Sequence, residues 1–338
     1  MKTPYLKEKI LKLRAERNAV ILAHNYQREE VQEVADFVGD SLELSRQAAN
    51  SDAEIIVFCG VHFMAETAAI LCSGKKVLLP DPTAGCRMAD MITPEKLNEF
   101  KRRYPQTAVV CYVNSSAAIK AASDICCTSA NAARVVQSLD DRQILFVPDR
   151  YLGEYAREIT GKDMILWQGF CPTHMKINRE HIIALKARYP DAHVVVHPEC
   201  RGEVREIADA VLSTGGICRY AREKSFKTLI VGTEVGILYR LRKENPDKTF
   251  IPASMKSVCP NMKRITLEKV LRCLQTLQPE ITVPEEIRSR AYRAVDRMLS
   301  VARNRPVQKG AASAPMPKAA RSLEAPPGAV QDGGKTVL

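Results

Sequence analysis

Three segments of the chain begin with a run of apolar, mostly β-branched residues and then break into polar ones. These segments are "AVILAHNY" (19–26), "TAVVCYVN" (107–114) and "AHVVVHPE" (192–199). Such runs are typical of buried β-strands. Their polar ends align as His24, Tyr112 and His197, at spacings of 88 and 85 residues. The pattern therefore predicts an internal repeat.

Later positions in the chain keep the same spacing. Seventeen residues beyond each landmark stands a hydroxyl residue, in a block that opens with Asp36, Asp124 or Asp209. The hydroxyl residues are Ser41, Ser129 and Thr214. Two further apolar strands follow, and after the last of them come Cys86, Cys171 and Cys259, spaced by 85 and 88 residues. A helix is then predicted to begin after each N-cap residue, Thr93, Asn178 and Thr266.

The repeat predicts an α/β fold of three similar domains, each a strand–helix–strand–helix–strand unit with a short parallel sheet. The predicted organisation is a first repeat at 1–92, a second at 93–177, a third at 178–265, C-terminal helices at 266–303 and a disordered tail at 304–338. Reactive loops gather at the carboxyl ends of parallel strands. A pseudo-threefold arrangement would direct the three sets of loops into one central active site, whereas a row of domains would scatter them.

Composition narrows the class of protein. The first twenty residues form a charged amphipathic stretch, and no run of about 18 apolar residues occurs. We therefore expect a cytoplasmic protein that does not enter membranes. The net charge of +11 is scattered over predicted helices without a long basic block, so we expect no nucleic-acid partner.

Eleven cysteines without a signal peptide favour metal binding or catalysis over a disulfide framework. The repeat selects Cys86, Cys171 and Cys259 as three thiols that converge. Three thiolates suit zinc or a [4Fe–4S] cluster with one open iron, and three equivalent metal-free thiols remain an alternative. The other eight are expected to pack in the interior, with Cys200 near the cavity but not a ligand.

The hydroxyls and the strand ends suggest different tasks. Ser41, Ser129 and Thr214 precede helical stretches, and hydroxyls and N–H groups at helix N-termini bind carboxylates and phosphates. The strand ends pair His24 with Tyr26, Tyr112 with Asn114, and His197 with Glu199. This mixture suits proton transfer at a carbonyl or imine. His174, three residues after Cys171, is placed to contact a molecule bound at the open iron.

Seven motifs, in order and over about residues 3–300, closely resemble the quinolinate synthase (NadA) family. The motifs are "AHNYQ" (23–27), "GDS" (39–41), "CYVNSSA" (111–117), "GFCPTH" (169–174), "HPEC" (197–200), "STGG" (213–216) and "SVCPNMK" (257–263).

The resemblance implies a transferase that condenses iminoaspartate with dihydroxyacetone phosphate to quinolinate, phosphate and water in NAD biosynthesis. It implies one [4Fe–4S] cluster on Cys86, Cys171 and Cys259, whose open iron is a Lewis acid. Tyr26, Glu199 and His197 would be catalytic. Contacts with substrate are implied for His24, Ser41, Tyr112, Val113, Asn114, Ser129, His174, His197, Pro198, Glu199 and Thr214.

The resemblance also bears on regulation and partners. Some family members carry a C-x-x-C-x-x-C run that ends in the last ligand, whereas this chain has Ala253 and Lys256 at the first two positions, so thiol regulation of that kind is not expected. A transient contact with the enzyme that oxidises aspartate is compatible with the chemistry. The competing classes are the radical S-adenosylmethionine enzyme of diphthamide synthesis, with the same three-cysteine layout, and an iron–sulfur sensor of nucleic acid.

Overall fold

The computed structural model describes residues 2–140 and 142–303. The tail that was predicted to be disordered lies outside these residues. Over the described ranges, no helix has the length and apolar character that crossing a membrane requires.

Three consecutive stretches of the chain have the same order of elements. The first contains α1 (Lys2–Glu16), β1 (Ala19–His24), α2 (Glu29–Val34), β2 (Phe37–Gly39), α3 (Ser41–Asn50), β3 (Ile55–Cys59), α4 (His62–Leu71), β4 (Lys76–Leu78) and a 3₁₀ turn (Ala89–Met91). The second contains α5 (Pro94–Arg103), β5 (Ala108–Tyr112), α6 (Ala117–Ala121), β6 (Ile125–Cys127), α7 (Ala132–Gln137), β7 (Ile144–Val147), α8 (Arg150–Thr160), β8 (Met164–Leu166) and a 3₁₀ turn (His174–Lys176).

The third stretch repeats the pattern, and two helices follow it. It contains α9 (Arg179–Arg188), β9 (His193–Val196), α10 (Gly202–Arg205), β10 (Ala210–Val211), α11 (Thr214–Glu223), β11 (Thr228–Gly232), α12 (Ile237–Glu244), β12 (Thr249–Pro252) and a 3₁₀ turn (Met262–Arg264). The final helices are α13 (Leu267–Thr276) and α14 (Glu285–Arg303).

Each stretch builds one four-stranded parallel sheet with the same strand order. The orders are β2-β1-β3-β4, β6-β5-β7-β8 and β10-β9-β11-β12, within the described part of the chain. The central strands are almost entirely buried, which is the expected state of a parallel sheet covered by helices. The predicted α/β fold of three similar domains is confirmed.

The structure corrects the number of strands in each unit. The sequence pattern predicted three, and the fourth is β2, β6 or β10, which has only two or three residues. A strand this short shows no alternation that could reveal it.

The repeated aspartates explain where the short strands begin. The carboxylates of Asp36, Asp124 and Asp209 accept N–H bonds of 2.8, 2.7 and 2.7 Å from the first strand of their own unit. Each aspartate N–H also bonds a carbonyl of that same strand, at 2.8–3.0 Å. In every unit, this aspartate thus fixes the register between the first strand and the short strand that follows it.

The predicted helix starts are confirmed with one difference. Thr93, Asn178 and Thr266 are N-cap residues, and both threonine hydroxyls accept the expected backbone N–H bond. Helices α3 and α11 begin at Ser41 and Thr214. By contrast, α7 begins three residues after Ser129, because the Asn131 carboxamide accepts from the N–H and hydroxyl of Thr128 and holds a turn there.

The final helices pack on the first and second units. Helix α13 packs on α1, and α14 packs on α4, α6 and α7. The first two units and these final helices share one apolar core, while the third unit has two smaller clusters of its own.

Candidate active site

The carboxyl ends of the three sheets surround one cavity of about 180 Å³. Equivalent residues from all three units reach it, as a pseudo-threefold arrangement requires and a linear row of domains does not. The predicted site residues that line it are Cys86, Cys171, Cys259, His24, Tyr26, Ser41, Tyr112, Asn114, Ser129, His174, His197, Glu199 and Thr214. Val113 and Pro198 are buried next to lining residues, but they are not among the residues that line the cavity.

The three cysteines occupy equivalent turns. In each turn the cysteine carbonyl accepts the N–H of the residue four positions later, at 3.2, 3.2 and 3.3 Å for Cys86, Cys171 and Cys259. Backbone N–H groups two or three residues later also hydrogen-bond the sulfur atoms and work to lower their pKa values. The donors are Ala89 and Met88 for Cys86, His174 for Cys171, and Met262 and Asn261 for Cys259. Burial is the larger effect and raises the pKa values of all three thiols, and these N–H groups oppose it in part.

Burial distinguishes these cysteines from the rest. All three are partly exposed to the cavity, whereas the other eight are buried, in agreement with the packing role predicted for those eight. Burial raises the pKa of Cys86 to about 12, and Cys259 adds to that shift. Burial likewise raises the pKa values of Cys171 and Cys259. A bound cation must therefore displace the thiol protons, and three soft sulfur donors fit iron or zinc better than a hard cation.

Glu199 is the centre of a buried group of polar side chains. Its Oε1 accepts from the Tyr112 hydroxyl at 2.6 Å, and its Oε2 lies 2.7 Å from Nδ1 of His174. Burial alone would raise the pKa of Glu199, but His174, His197 and the Tyr112 hydrogen bond lower it below the ordinary range. Glu199 is consequently a carboxylate at neutral pH.

Two further side chains extend this group to Tyr26. Nε2 of His174 lies 2.9 Å from the Thr233 hydroxyl, which lies 2.5 Å from the Tyr26 hydroxyl. Thr233 is 1% exposed. The order Tyr26–Thr233–His174–Glu199–Tyr112 is therefore a chain of proton donors and acceptors, in which the His174–Glu199 step is a close contact of 2.7 Å that is not aligned as a hydrogen bond.

Cys171, His174 and Glu199 offer ligand atoms within 4.8 Å of one another. They could hold a single metal ion, yet both ring nitrogens of His174 are already within hydrogen-bonding distance of Glu199 and Thr233. His174 therefore contacts polar groups on both sides of its ring.

His24 and His197 use the same local geometry. Nδ1 of each ring accepts the N–H of the residue two positions later, Tyr26 at 3.1 Å and Glu199 at 3.4 Å. This bond places the proton of the neutral ring on Nε2. Burial lowers the pKa of both histidines to about 3, against a partial opposing effect of Glu199. Both rings are therefore neutral donors at physiological pH.

The two neutral histidines predict a pH dependence of stability. Their folded pKa values lie below the unfolded value of 6.5, so the unfolded state binds more protons between these limits. The contribution of these two histidines to stability is fully present above pH 6.5 and is lost as the pH is lowered toward 3. The measurement is the slope of the unfolding free energy against pH between about pH 5.5 and 6.5. In His197→Asn this slope should be smaller than in wild type, by an amount that corresponds to up to about one bound proton. The exposed His181→Asn is the control, and an unchanged slope for His197→Asn would contradict the assignment.

The hydroxyl side of the cavity joins the first and third units. Thr214 accepts from Nδ2 of Asn25 at 2.9 Å, and the N-cap Ser213 donates to Asp40 at 3.0 Å. A Cβ on Gly215 would lie 2.7 Å from carboxylate oxygens of Asp40 and Glu43, so a larger residue there would have to move these two side chains. Ser41 and Thr214 thus face the cavity from adjacent helix starts.

Asn114 presents an unused hydrogen-bond acceptor. Its Oδ1 is buried and, among the described residues, has no protein partner. A buried acceptor without a partner costs free energy, on the order of 1–3 kcal/mol. A donor on a bound molecule would remove that cost.

The sequence pattern did not identify Thr233 or Glu234 as site residues. Both directly follow β11, the second apolar strand of the third unit, and the sequence analysis predicted no site residue at the ends of the second apolar strands. The polar break after "LIVG" at 229–232 is the signal that would have found them.

Comparison with known proteins matches the sequence of this chain to a family. The NadA family model, described as "Quinolinate synthetase A protein", matches residues 8–300. A quinolinate synthase of Dehalococcoides mccartyi is 61% identical over 89% of this chain and 100% of its own length. Those of Thermodesulfovibrio yellowstonii and Geobacter metallireducens are 58% and 55% identical, over 87% and 90% of this chain and 97% and 100% of theirs. The chain therefore belongs to the NadA, or quinolinate synthetase A, family.

Proposed function

We propose that this chain is a quinolinate synthase, an enzyme of NAD biosynthesis in the transferase class. It would condense iminoaspartate with dihydroxyacetone phosphate to give quinolinate, phosphate and water. The observation that carries the proposal is the convergence of three equivalent cysteines and the Tyr26–Thr233–His174–Glu199–Tyr112 chain on one cavity.

Cys86, Cys171 and Cys259 would hold a [4Fe–4S] cluster. The N–H groups directed at the three sulfurs fit such a group, because hydrogen bonds to the sulfurs stabilise their negative charge. No fourth cysteine or histidine stands at an equivalent position in the sequence, which favours a cluster over structural zinc. When bound, the cluster supplies an open iron that acts as a Lewis acid toward an oxygen or nitrogen of the substrate.

Proton transfer is assigned to this chain of donors and acceptors. Glu199 is an ionised carboxylate whose Oε2 faces Nδ1 of His174, so a proton taken up at Tyr26 can pass through Thr233 and His174 to Glu199. Burial and the nearby Glu199 charge raise the pKa of Tyr26, which keeps its hydroxyl protonated and able to donate. His24 and His197 can donate from Nε2 to a carboxylate or carbonyl oxygen without changing charge.

The hydroxyls and helix starts are assigned to the anionic groups of the substrates. Both substrates carry carboxylate or phosphate charges, and Ser41 and Thr214 stand at positive helix N-termini. Ser129, at the equivalent position of the second unit, lines the same cavity. Oδ1 of Asn114 would accept from an N–H or O–H of the substrate.

Loss of one cavity hydroxyl should weaken binding more than chemistry. For Ser41→Ala we expect the KM of one substrate to rise about tenfold with kcat within about twofold, because one hydrogen bond to a charged group is lost. Steady-state kinetics with each substrate varied in turn is the measurement. Ser138→Ala is the matched control, because Ser138 is exposed and its hydroxyl donates to the backbone carbonyl of Val135. Unchanged KM values for both substrates would contradict this assignment.

The substrates can be tested with labelled carbon. Uniformly ¹³C-labelled dihydroxyacetone phosphate and freshly generated iminoaspartate should give quinolinate that retains the full triose label in its mass. Unlabelled quinolinate, or no product from a protein with a full cluster, would overturn the proposed reaction. An aspartate-oxidising enzyme in the same cytoplasm is the proposed source of iminoaspartate.

A further inference from the structure

An ion pair lies behind the cavity, between the buried Glu234 and the partly buried Lys263. The Glu234 side chain is 0% exposed, and Nζ of Lys263 lies 3.1 and 3.2 Å from its two carboxylate oxygens. The same carboxylate accepts the Cys259 N–H at 3.0 Å and the Gly236 N–H at 2.7 Å. One carboxylate thus holds the turn that carries a sulfur of the cavity.

The cation of this pair reaches a different unit. Nζ of Lys263 donates to the backbone carbonyl of Tyr26, which lies in the loop after β1. Thr233, directly before Glu234, hydrogen-bonds the hydroxyl of the same tyrosine. The residues that follow β11, together with Lys263, therefore hold Tyr26 at both its main chain and its hydroxyl.

Gly236 shows how closely these groups pack. A Cβ at this position would lie 2.6 Å from Nζ of Lys263 and 2.8 Å from the backbone carbon of Tyr26. Backbone cannot yield as a flexible side chain can, so any larger residue must displace the Tyr26 loop or the pair.

The repeat shows that the fold of a unit does not need this pair. At the same spacings of 88 and 85 residues, Glu234 corresponds to Val61 and Asp149. At the spacings of the three cysteines, 85 and 88 residues, Lys263 corresponds to Asp90 and Met175. The first and second units form the same sheet without a carboxylate–lysine pair at these positions. A buried ion pair is a weak source of stability, which favours a positioning role.

We propose that Lys263, through its pair with Glu234, is a positioning residue that fixes the Tyr26 loop relative to the Cys259 turn. The pair sets the distance between the acid–base hydroxyl of Tyr26 and a molecule bound beside the three cysteines. This inference rests on the proposed function, because it takes Tyr26 as a proton donor and Cys259 as a cluster ligand.

The test compares Lys263→Met and Gly236→Ala in the anaerobic, cluster-loaded enzyme. Both should lower kcat about 10- to 100-fold, since a displacement on the order of 1 Å can cost that much, with KM changed less than about threefold. Iron and sulfide content per chain should match wild type. Hydrogen exchange of the 24–28 backbone should become about tenfold faster in both variants, which reports on the loop independently of activity.

Lys269→Met is the matched control. Lys269 also forms an ion pair, with Asp81 at 2.5 Å, and its other hydrogen bond goes to the backbone carbonyl of Arg264 rather than to Tyr26 or Cys259. The variant should leave kcat and exchange at 24–28 unchanged. Lys263→Arg, which keeps the charge and the donors, should recover most of the kcat that Lys263→Met loses.

Two outcomes would overturn the inference. A lower melting temperature with wild-type kcat per cluster in both variants would assign the pair to stability alone. Gly236→Ala keeps both charges, so it decides the question if Lys263→Met does not fold. Tyr26→Phe distinguishes failure of the proposed function from failure of this inference. If Tyr26→Phe keeps full activity, the proposed role of Tyr26 is wrong. If Tyr26→Phe is inactive while the Lys263 and Gly236 variants have normal kcat, only the positioning role is wrong.

Discussion

Cys171→Ser is expected to lose both the cluster and quinolinate formation. Cys171 supplies one of three equivalent sulfurs. The other eight cysteines are buried and do not line the cavity, so none of them can replace it. A hydroxyl is a poor ligand for iron compared with a thiolate. Loss of the Lewis acid removes several kcal/mol of transition-state stabilisation, which corresponds to a fall in rate of at least about 10³-fold.

The measurement is iron and sulfide content together with the initial rate, on anaerobically purified protein. Cys72→Ser is the matched control, because Cys72 is buried at the end of α4, away from the cavity. It should keep both the cluster and the rate. A Cys171→Ser enzyme that makes quinolinate at the rate of wild type would reject the three-cysteine site.

Glu199→Gln is expected to lower kcat by about 10²- to 10⁴-fold while the cluster remains. The substitution keeps the size of the side chain but removes the negative charge that receives the proton from His174. It also leaves the Tyr112 hydroxyl with a neutral acceptor in place of a carboxylate. Because the proposed proton transfer acts in the reaction, while the hydroxyls and helix N-termini carry most of the substrate binding, KM should change far less than kcat.

The pH profile separates a chemical role from a structural one. In wild type, the low pKa of Glu199 keeps the base ionised, so kcat should not fall with a carboxylate titration near about pH 4–5. Glu206→Gln, at an exposed residue near by in sequence, is the control and should match wild type. A Glu199→Gln variant with wild-type kcat would place the proton-transfer role elsewhere.

Spacing alone was sufficient to select Cys86, Cys171 and Cys259 from eleven cysteines. Equivalent positions in a repeated α/β unit end at equivalent edges of a sheet, so equal sequence offsets carry three-dimensional information. The same reasoning brought His24, Tyr112 and His197 to the cavity, where the structure finds them.

The cross-unit contacts could not be predicted in that way. Tyr26 meets Thr233 across 207 positions and Lys263 across 237, and nothing in local periodicity encodes which loop of the third unit lies against the first. The strands β2, β6 and β10 were missed for a different reason, since two or three residues leave no periodic pattern. Packing between units decides the first feature, and pairing with the first strand of the same unit decides the second.

The most direct test of the account measures the rate of quinolinate formation and the phosphate released, each as a function of the iron content of the protein. Wild-type protein, purified without oxygen, is stripped of iron with a chelator, reloaded stepwise with iron and sulfide, and assayed with iminoaspartate and dihydroxyacetone phosphate. The account predicts one phosphate released per quinolinate formed, at a rate that rises with iron to a plateau near about four irons per chain. Quinolinate formed at full rate by the iron-free protein would contradict it, as would a fully loaded protein that forms none.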